Sequence, residues 1–208
     1  MSLAFPLGAA VVAVAGSWPA SAAVHRYSKS AVRWLNAMIA APTTVLAVLT
    51  TVFVRPPLVA CAACWLAICA VPLAVIDISV RRLPDALTSI AFAGVAGFLL
   101  AAAATGNRWP DLARAGGGAI AVAGLFLLLA VIKPGSAGLG DAKLALSIGA
   151  LAGWLGWPDL IAAIFAGFLL AGCYAAWLLA TRRASLRTSL AYGPFLLAGC
   201  FAAVFISR

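Results

Sequence analysis

Asp77 and Asp141 are the two residues whose type and setting best suit catalysis. Asp77 lies in the segment AVIDISVRRLPD, about one helical turn inside a basic loop, and Asp141 closes the segment KPGSAGLGD. Two close carboxyl groups cannot comfortably both ionise, so such a pair holds a single shared proton. The ionised carboxylate can take a proton from water while the protonated carboxyl donates to a substrate carbonyl. The two residues are therefore candidates for the catalytic pair of a peptide hydrolase.

Other interpretations of the same two residues stay open at this point. Asp77 can form an ion pair with Arg81 one helical turn later, and Asp141 can cap the helix that follows it. Paired aspartates can also carry a cation or a proton through a small transporter, although such sites usually lie near the bilayer midplane. A non-catalytic membrane scaffold is a further alternative, and it predicts that either aspartate can be replaced without loss of function.

The remaining acidic residues have a simpler explanation. The chain has five acidic residues and all are aspartate. Asp85, Asp111 and Asp159 each directly follow a proline and precede an apolar run. A short polar side chain in that position is typical of a helix N-cap. We expect structural roles for Asp111 and Asp159, and the same role is available to Asp85.

The composition predicts an integral membrane protein and excludes several enzyme classes. Hydrophobic residues make up 65% of the 208 residues and charged residues only 9%, whereas a soluble domain carries about 25% charged residues. With one histidine, His25, and no glutamate, the chain cannot build an H-E-x-x-H zinc site, and it lacks a P-loop motif. Cys61 and Cys64 form a C-x-x-C inside an apolar stretch, which favours buried small side chains over zinc binding. We expect neither a metal nor a cofactor.

Eight apolar stretches come close to the length of about 20 residues that spans a bilayer. They are residues 3–24, 37–54, 58–79, 86–104, 115–132, 142–157, 160–181 and 190–207. The predicted fold class is all-α: a polytopic transmembrane helical bundle of about eight spans with no soluble domain. Ten basic residues fall on one side of this arrangement and four on the other. The positive-inside rule then places both termini outside and both candidate aspartates at the cytoplasmic edge, and it explains the net charge of +9 without nucleic acid.

The segments IDISVRRLPDALT and GLGDAKL together resemble the type IV prepilin peptidase family, the GxGD intramembrane aspartic proteases. AYGPFLLAG is similar to the last helix of that family, so the resemblance covers most of residues 58–208. It implies that Asp77 and Asp141 are the catalytic pair and that Asp85 is the aspartate of the family's PD motif, outside the pair. Residues of the same motifs are candidates for supporting the pair or contacting the substrate: Gly138, Gly140, Lys143, Asp85 and Pro194.

Two of these supporting residues have specific expected roles. The loop around Gly138 and Gly140 can admit the substrate backbone or the approach of Asp77, because glycine allows close backbone contact. Lys143 can steady Asp141 or the substrate carbonyls, or it can simply extend its charge to the membrane surface.

The N-terminal part departs from the larger members of this family. The resemblance implies a single membrane domain over residues 1–208, with a peptidase-like core at 58–208. Residues 1–57 are predicted to form two spans joined by the short basic loop HRYSKSAVRW, where larger members insert a cytosolic methyltransferase region. The chain then resembles a peptidase-only member in the inner (plasma) membrane, with its active site facing the cytoplasm. Its implied partner is a type IV pilin-like or Flp-type prepilin, cleaved without N-methylation, and an archaeal-type preflagellin peptidase is an alternative.

Overall fold

The described part of the protein consists of helices and the short turns between them. The structure, a computed structural model, describes residues 43, 45–46, 48–50, 54, 56–80, 83–132, 139–183 and 192–206, and these contain no strand. The six helices with defined bounds are α1 (Pro57–Val80), α2 (Asp85–Gly106), α3 (Trp109–Ile132), α4 (Leu139–Leu155), α5 (Trp157–Ala180) and α6 (Gly193–Ile206). The predicted all-α class is confirmed for these residues.

The predicted count of about eight spans is not supported. Four of the described helices, α1, α2, α3 and α5, are long and apolar enough to cross a bilayer. Helix α4 has 17 residues and α6 has 14, so both fall short of that length. The first predicted span, 3–24, and most of the second, 37–54, lie outside the described residues. Helix α4 is buried along most of its length and contacts all five other described helices. It is therefore surrounded mainly by protein.

Two helix boundaries differ from the sequence prediction. The connection between α2 and α3 is only Asn107 and Arg108, because α3 begins at Trp109 and not near residue 115. Asn107 takes the left-handed conformation (φ 51°) that ends α2, which asparagine tolerates better than most residues. Helix α4 begins at Leu139, so Gly140 and Asp141 form its first turn instead of a loop before it.

Helices α3 and α4 approach each other through glycine. A Cβ atom added to Gly149 would lie 2.5 Å from the backbone oxygen of Gly118, and one added to Gly153 would lie 3.0 Å from the backbone oxygen of Arg114. Small residues at such positions let helix backbones come into direct contact. Gly149 and Gly153 are therefore packing positions, whereas a Cβ at Gly97, Gly116 or Gly172 would meet no atom within 4 Å.

The start of α3 is tied to the end of α4 by one arginine, at what we call the arginine end of the bundle. The guanidinium of Arg114 donates to the backbone oxygens of Gly153 and Trp154, at 2.8 and 2.7 Å, and to Asp111 at 2.7 Å. Asp111 also pairs with Arg108, whose guanidinium lies 5.3 Å from the ring centre of Trp154. These bonds satisfy carbonyls that a helix end leaves free. Asp111 therefore has a structural role, as an ion-pair partner.

Asp85 and Asp159 lie one to three residues inside their helices and do not occupy the N-cap position. The N-cap of α2 is Pro84 and that of α5 is Gly156, and neither makes a side-chain cap bond. The predicted caps were wrong by this small shift, since both aspartates remain in the first turn. Negative charge there still interacts favourably with the positive end of the helix dipole.

Candidate active site

Asp77 lies in the last turn of α1 and faces the beginning of α6. The residue is 5% exposed, and its Oδ2 accepts a hydrogen bond of 3.1 Å from the backbone N–H of Gly193, the first residue of α6. A helix N-terminus carries free N–H groups and partial positive charge, so it can hold a carboxylate oxygen. Any side chain at Gly193 would intrude on this contact, because a Cβ there would lie 2.8 Å from Asp77 Oδ2.

Asp141 lies in the first turn of α4, which contacts α1. It is 9% exposed, and its charge interacts with that of Asp77 across the two helices. Among the described residues these are the only buried charged side chains. The fold thus brings the two predicted catalytic residues together from helices that are separated by two others in the chain, at what we call the aspartate end of the bundle.

Lys143 pairs with Asp85 in this structure. Its Nζ lies 2.7 Å from Asp85 Oδ1, joining the fifth residue of α4 to the first residue of α2. Both side chains are partly exposed, Lys143 at 42% and Asp85 at 73%. The expected contact of Lys143 with Asp141 or with substrate carbonyls stays a prediction.

Gly140 packs directly against the segment that leads into α2. A Cβ added to Gly140 would lie 2.7 Å from Leu83 Cβ and 3.3 Å from Leu83 backbone oxygen. The glycine that was expected to admit substrate or Asp77 is thus, in this structure, a contact between two protein segments. Gly138 and Arg81, the proposed ion-pair partner of Asp77, lie outside the described residues.

Pro194 is the second residue of α6, where its missing N–H costs no helical hydrogen bond. The sequence interpretation singled out Pro194 and missed its neighbour Gly193, which touches Asp77. The signal was present in the segment AYGPF: a glycine before a proline at a helix start combines a free amide with no side chain. What the sequence did not reveal is which carboxylate that amide would meet.

The described residues contain no group of three or more histidine, cysteine or acidic side chains placed to hold a metal ion. Cys61 is partly buried, Cys64, Cys69 and Cys200 are buried, and all are free thiols. The described site offers two buried carboxyls, one of them beside a backbone amide.

The described part of the chain is thus an apolar helical bundle with two buried carboxyls at one end. The chain matches the model of the type IV leader peptidase family over residues 60–176, more than half of its length. It belongs to that family, and it is accordingly a membrane peptidase of the type IV leader peptidase kind. No curated protein and no solved structure gave a match.

Proposed function

We propose that the protein is an aspartic endopeptidase in which Asp77 and Asp141 together activate water. The observation that carries the proposal is the meeting of two buried, interacting carboxyls on different helices, within the segment that matches the peptidase family. Membership of the family supports peptide hydrolysis. The carboxyl pair supports the aspartic mechanism, because it supplies both an acid and a base.

In the proposed reaction the pair holds one proton before the peptide is attacked. The ionised carboxylate takes a proton from water as the water oxygen attacks the carbonyl carbon, and the protonated carboxyl donates to the carbonyl oxygen. The tetrahedral intermediate, which now carries two hydroxyl groups, then collapses: the C–N bond breaks, the amine leaves with the proton that the pair took from water, and one hydroxyl proton returns to the pair. The amide of Gly193 donates to Asp77 Oδ2 and so stabilises negative charge on that side chain.

The proposed substrate is a type IV pilin-like or Flp-type prepilin, with a short basic leader that ends in glycine, followed by an apolar helix. That helix would lie in the bilayer against the bundle and present the cleavage point at the aspartate end. The aspartate end would face the cytoplasm, as the distribution of basic residues favours.

Co-expression with a prepilin from the same genome tests this function. The intact mass of the pilin should fall by that of the leader when the wild-type chain is present, and should not fall with Asp141→Asn. Asp159→Asn, which removes a carboxyl near the opposite end of the bundle, is the matched control and should cleave normally. If every candidate prepilin keeps its full length in the presence of the wild-type protein, the proposed substrate class is wrong.

We also propose that cleavage occurs without methylation of the new N-terminus. A methyltransferase needs a pocket large enough for a nucleotide-sized cofactor, and the basic loop HRYSKSAVRW is too short to build one. The processed pilin should therefore show the mass of a free amine after incubation with purified protein and S-adenosylmethionine. An added methyl group would show that this part of the proposal is wrong.

Orientation can be measured independently of activity. Single cysteines placed at Ser28 and Ser185 should react with a membrane-impermeant reagent only from the cytoplasmic side, and one at Asn107 only from the outside. The reverse pattern would put the carboxyl pair at the outer face and would contradict cytoplasmic cleavage.

A further inference from the structure

The segment Leu83–Thr88 contacts the beginning of α4 at two points, which lie before and after Asp141 in the sequence. Before Asp141, Gly140 meets Leu83 so closely that a Cβ on Gly140 would lie 2.7 Å from Leu83 Cβ. After Asp141, Lys143 forms its 2.7 Å ion pair with Asp85. The first is close packing of Gly140 against Leu83, and the second is an ion pair. Both join α4 to the same short segment.

The segment Leu83–Thr88 is itself held in place by hydrogen bonds and by burial. Thr88 is fully buried, and its hydroxyl lies 3.1 Å from the backbone oxygen of Asp85 and 3.3 Å from that of Pro84. Pro84 is buried as well, and Leu83 and Leu87 pack against the hydrophobic core. The side chains that touch α4 therefore project from a fixed turn at the start of α2.

We propose that Leu83, Asp85, Gly140 and Lys143 form a brace that positions Asp141 for reaction with Asp77. This inference rests on the proposed function. An ion pair between side chains 42% and 73% exposed contributes little to stability, so its expected effect is on geometry. Misplacing a catalytic group by about 1 Å can cost on the order of 100-fold in rate. Asp85 and Lys143 are then positioning residues that act through Asp141.

Charge exchange tests the ionic half of the brace. Asp85→Lys and Lys143→Asp should each lower kcat by about 10- to 100-fold while KM stays near the wild-type value, because they displace Asp141 without removing its carboxyl. The double variant, with the charges exchanged, should recover most of the lost rate. Lys143→Arg keeps the positive charge and should stay near wild type. All variants are compared as equal amounts of folded full-length protein, with a synthetic prepilin segment as substrate.

Arg183→Asp is the matched control, because Arg183 is an exposed basic residue just beyond the end of α5 and contacts Trp177 instead of α4. It should leave kcat near wild type. If Asp141→Asn is inactive while both single reversals keep the wild-type rate, the brace is wrong and the proposed function stands. A double variant no better than the worse single variant would also overturn the brace. Activity in Asp141→Asn would overturn the proposed function and the brace with it.

A pair of substitutions that compensate each other in size tests the contact between Gly140 and Leu83. Gly140→Ala places a methyl group against Leu83 Cβ and should lower kcat by about 10-fold or more. Combining it with Leu83→Gly removes the opposing Cβ and should return part of the rate. Wild-type kcat in Gly140→Ala would show that this contact does not position Asp141.

Discussion

Asp77 and Asp111 lie at opposite ends of the bundle and have different partners. At the arginine end, Asp111 is paired with Arg108 and Arg114. At the aspartate end, Asp77 accepts a backbone N–H and faces a second buried carboxyl, and no ion pair joins it to a lysine or arginine of the described part of the chain. Burying a charge without a cation is costly. In the proposed mechanism a proton shared by Asp77 and Asp141 lowers that cost, whereas the ion pairs with Arg108 and Arg114 lower it for Asp111.

Removal of either carboxyl at the aspartate end should have the largest effect. Asp77→Asn and Asp141→Asn keep the side-chain size but remove the acid or the base, a loss of about 100- to 10,000-fold or more in cleavage rate. The unfolding temperature in detergent should change little, because asparagine has nearly the size of aspartate and at position 77 can still accept the hydrogen bond from Gly193. Near-normal cleavage by either variant, measured by leader release, would contradict the two-aspartate mechanism.

A change at Gly193 should have an intermediate effect. Gly193→Ala places a methyl group 2.8 Å from Asp77 Oδ2 and forces that carboxylate to move. We expect cleavage to fall by about 10- to 100-fold, since catalysis is sensitive to small displacements. Gly97→Ala, where a Cβ would meet no atom within 4 Å, is the matched glycine control and should be silent in the same assay.

Disruption of the arginine end should affect stability while leaving the cleavage rate of the folded protein unchanged. Arg114→Ala leaves the carbonyls of Gly153 and Trp154 without their donor, at a cost of about 1–3 kcal/mol in the free energy of unfolding. Thermal unfolding followed by circular dichroism measures this loss, with Arg183→Ala as the exposed-arginine control. A loss of cleavage in folded Arg114→Ala would remove the functional distinction between the two ends.

The parts of this structure that the sequence predicted are those encoded locally. The apolar run 58–79 differs from α1 by one residue at each end, because hydropathy alone marks a helix of that length. Asp77 and Asp141 stood out because carboxyls beside apolar helices are rare, and the structure brings them together. The catalytic role of the two aspartates and the roles of their supporting residues stay predictions.

The parts that escaped prediction depend on contacts between distant segments. The pairing of Lys143 with Asp85 and the bond from Gly193 to Asp77 join residues 58 and 116 positions apart. No periodicity or capping rule encodes such contacts. The helical start of α3 was missed for a different reason: polar and proline residues such as Pro110 signal a loop, but proline is well tolerated in the first turn of a helix.

The glycine contact between α3 and α4 has a mechanical consequence. Where Gly149 meets Gly118, peptide backbones touch with no side chain between them, so neither helix can rotate against the other without a collision. Asp141 is therefore carried by a helix whose backbone packs directly on α3 and whose far end is joined to α3 by Arg114. Asp77 is carried by α1 and is hydrogen-bonded to α6. A shift of one of these helix pairs against the other would therefore change the distance between the two carboxyls.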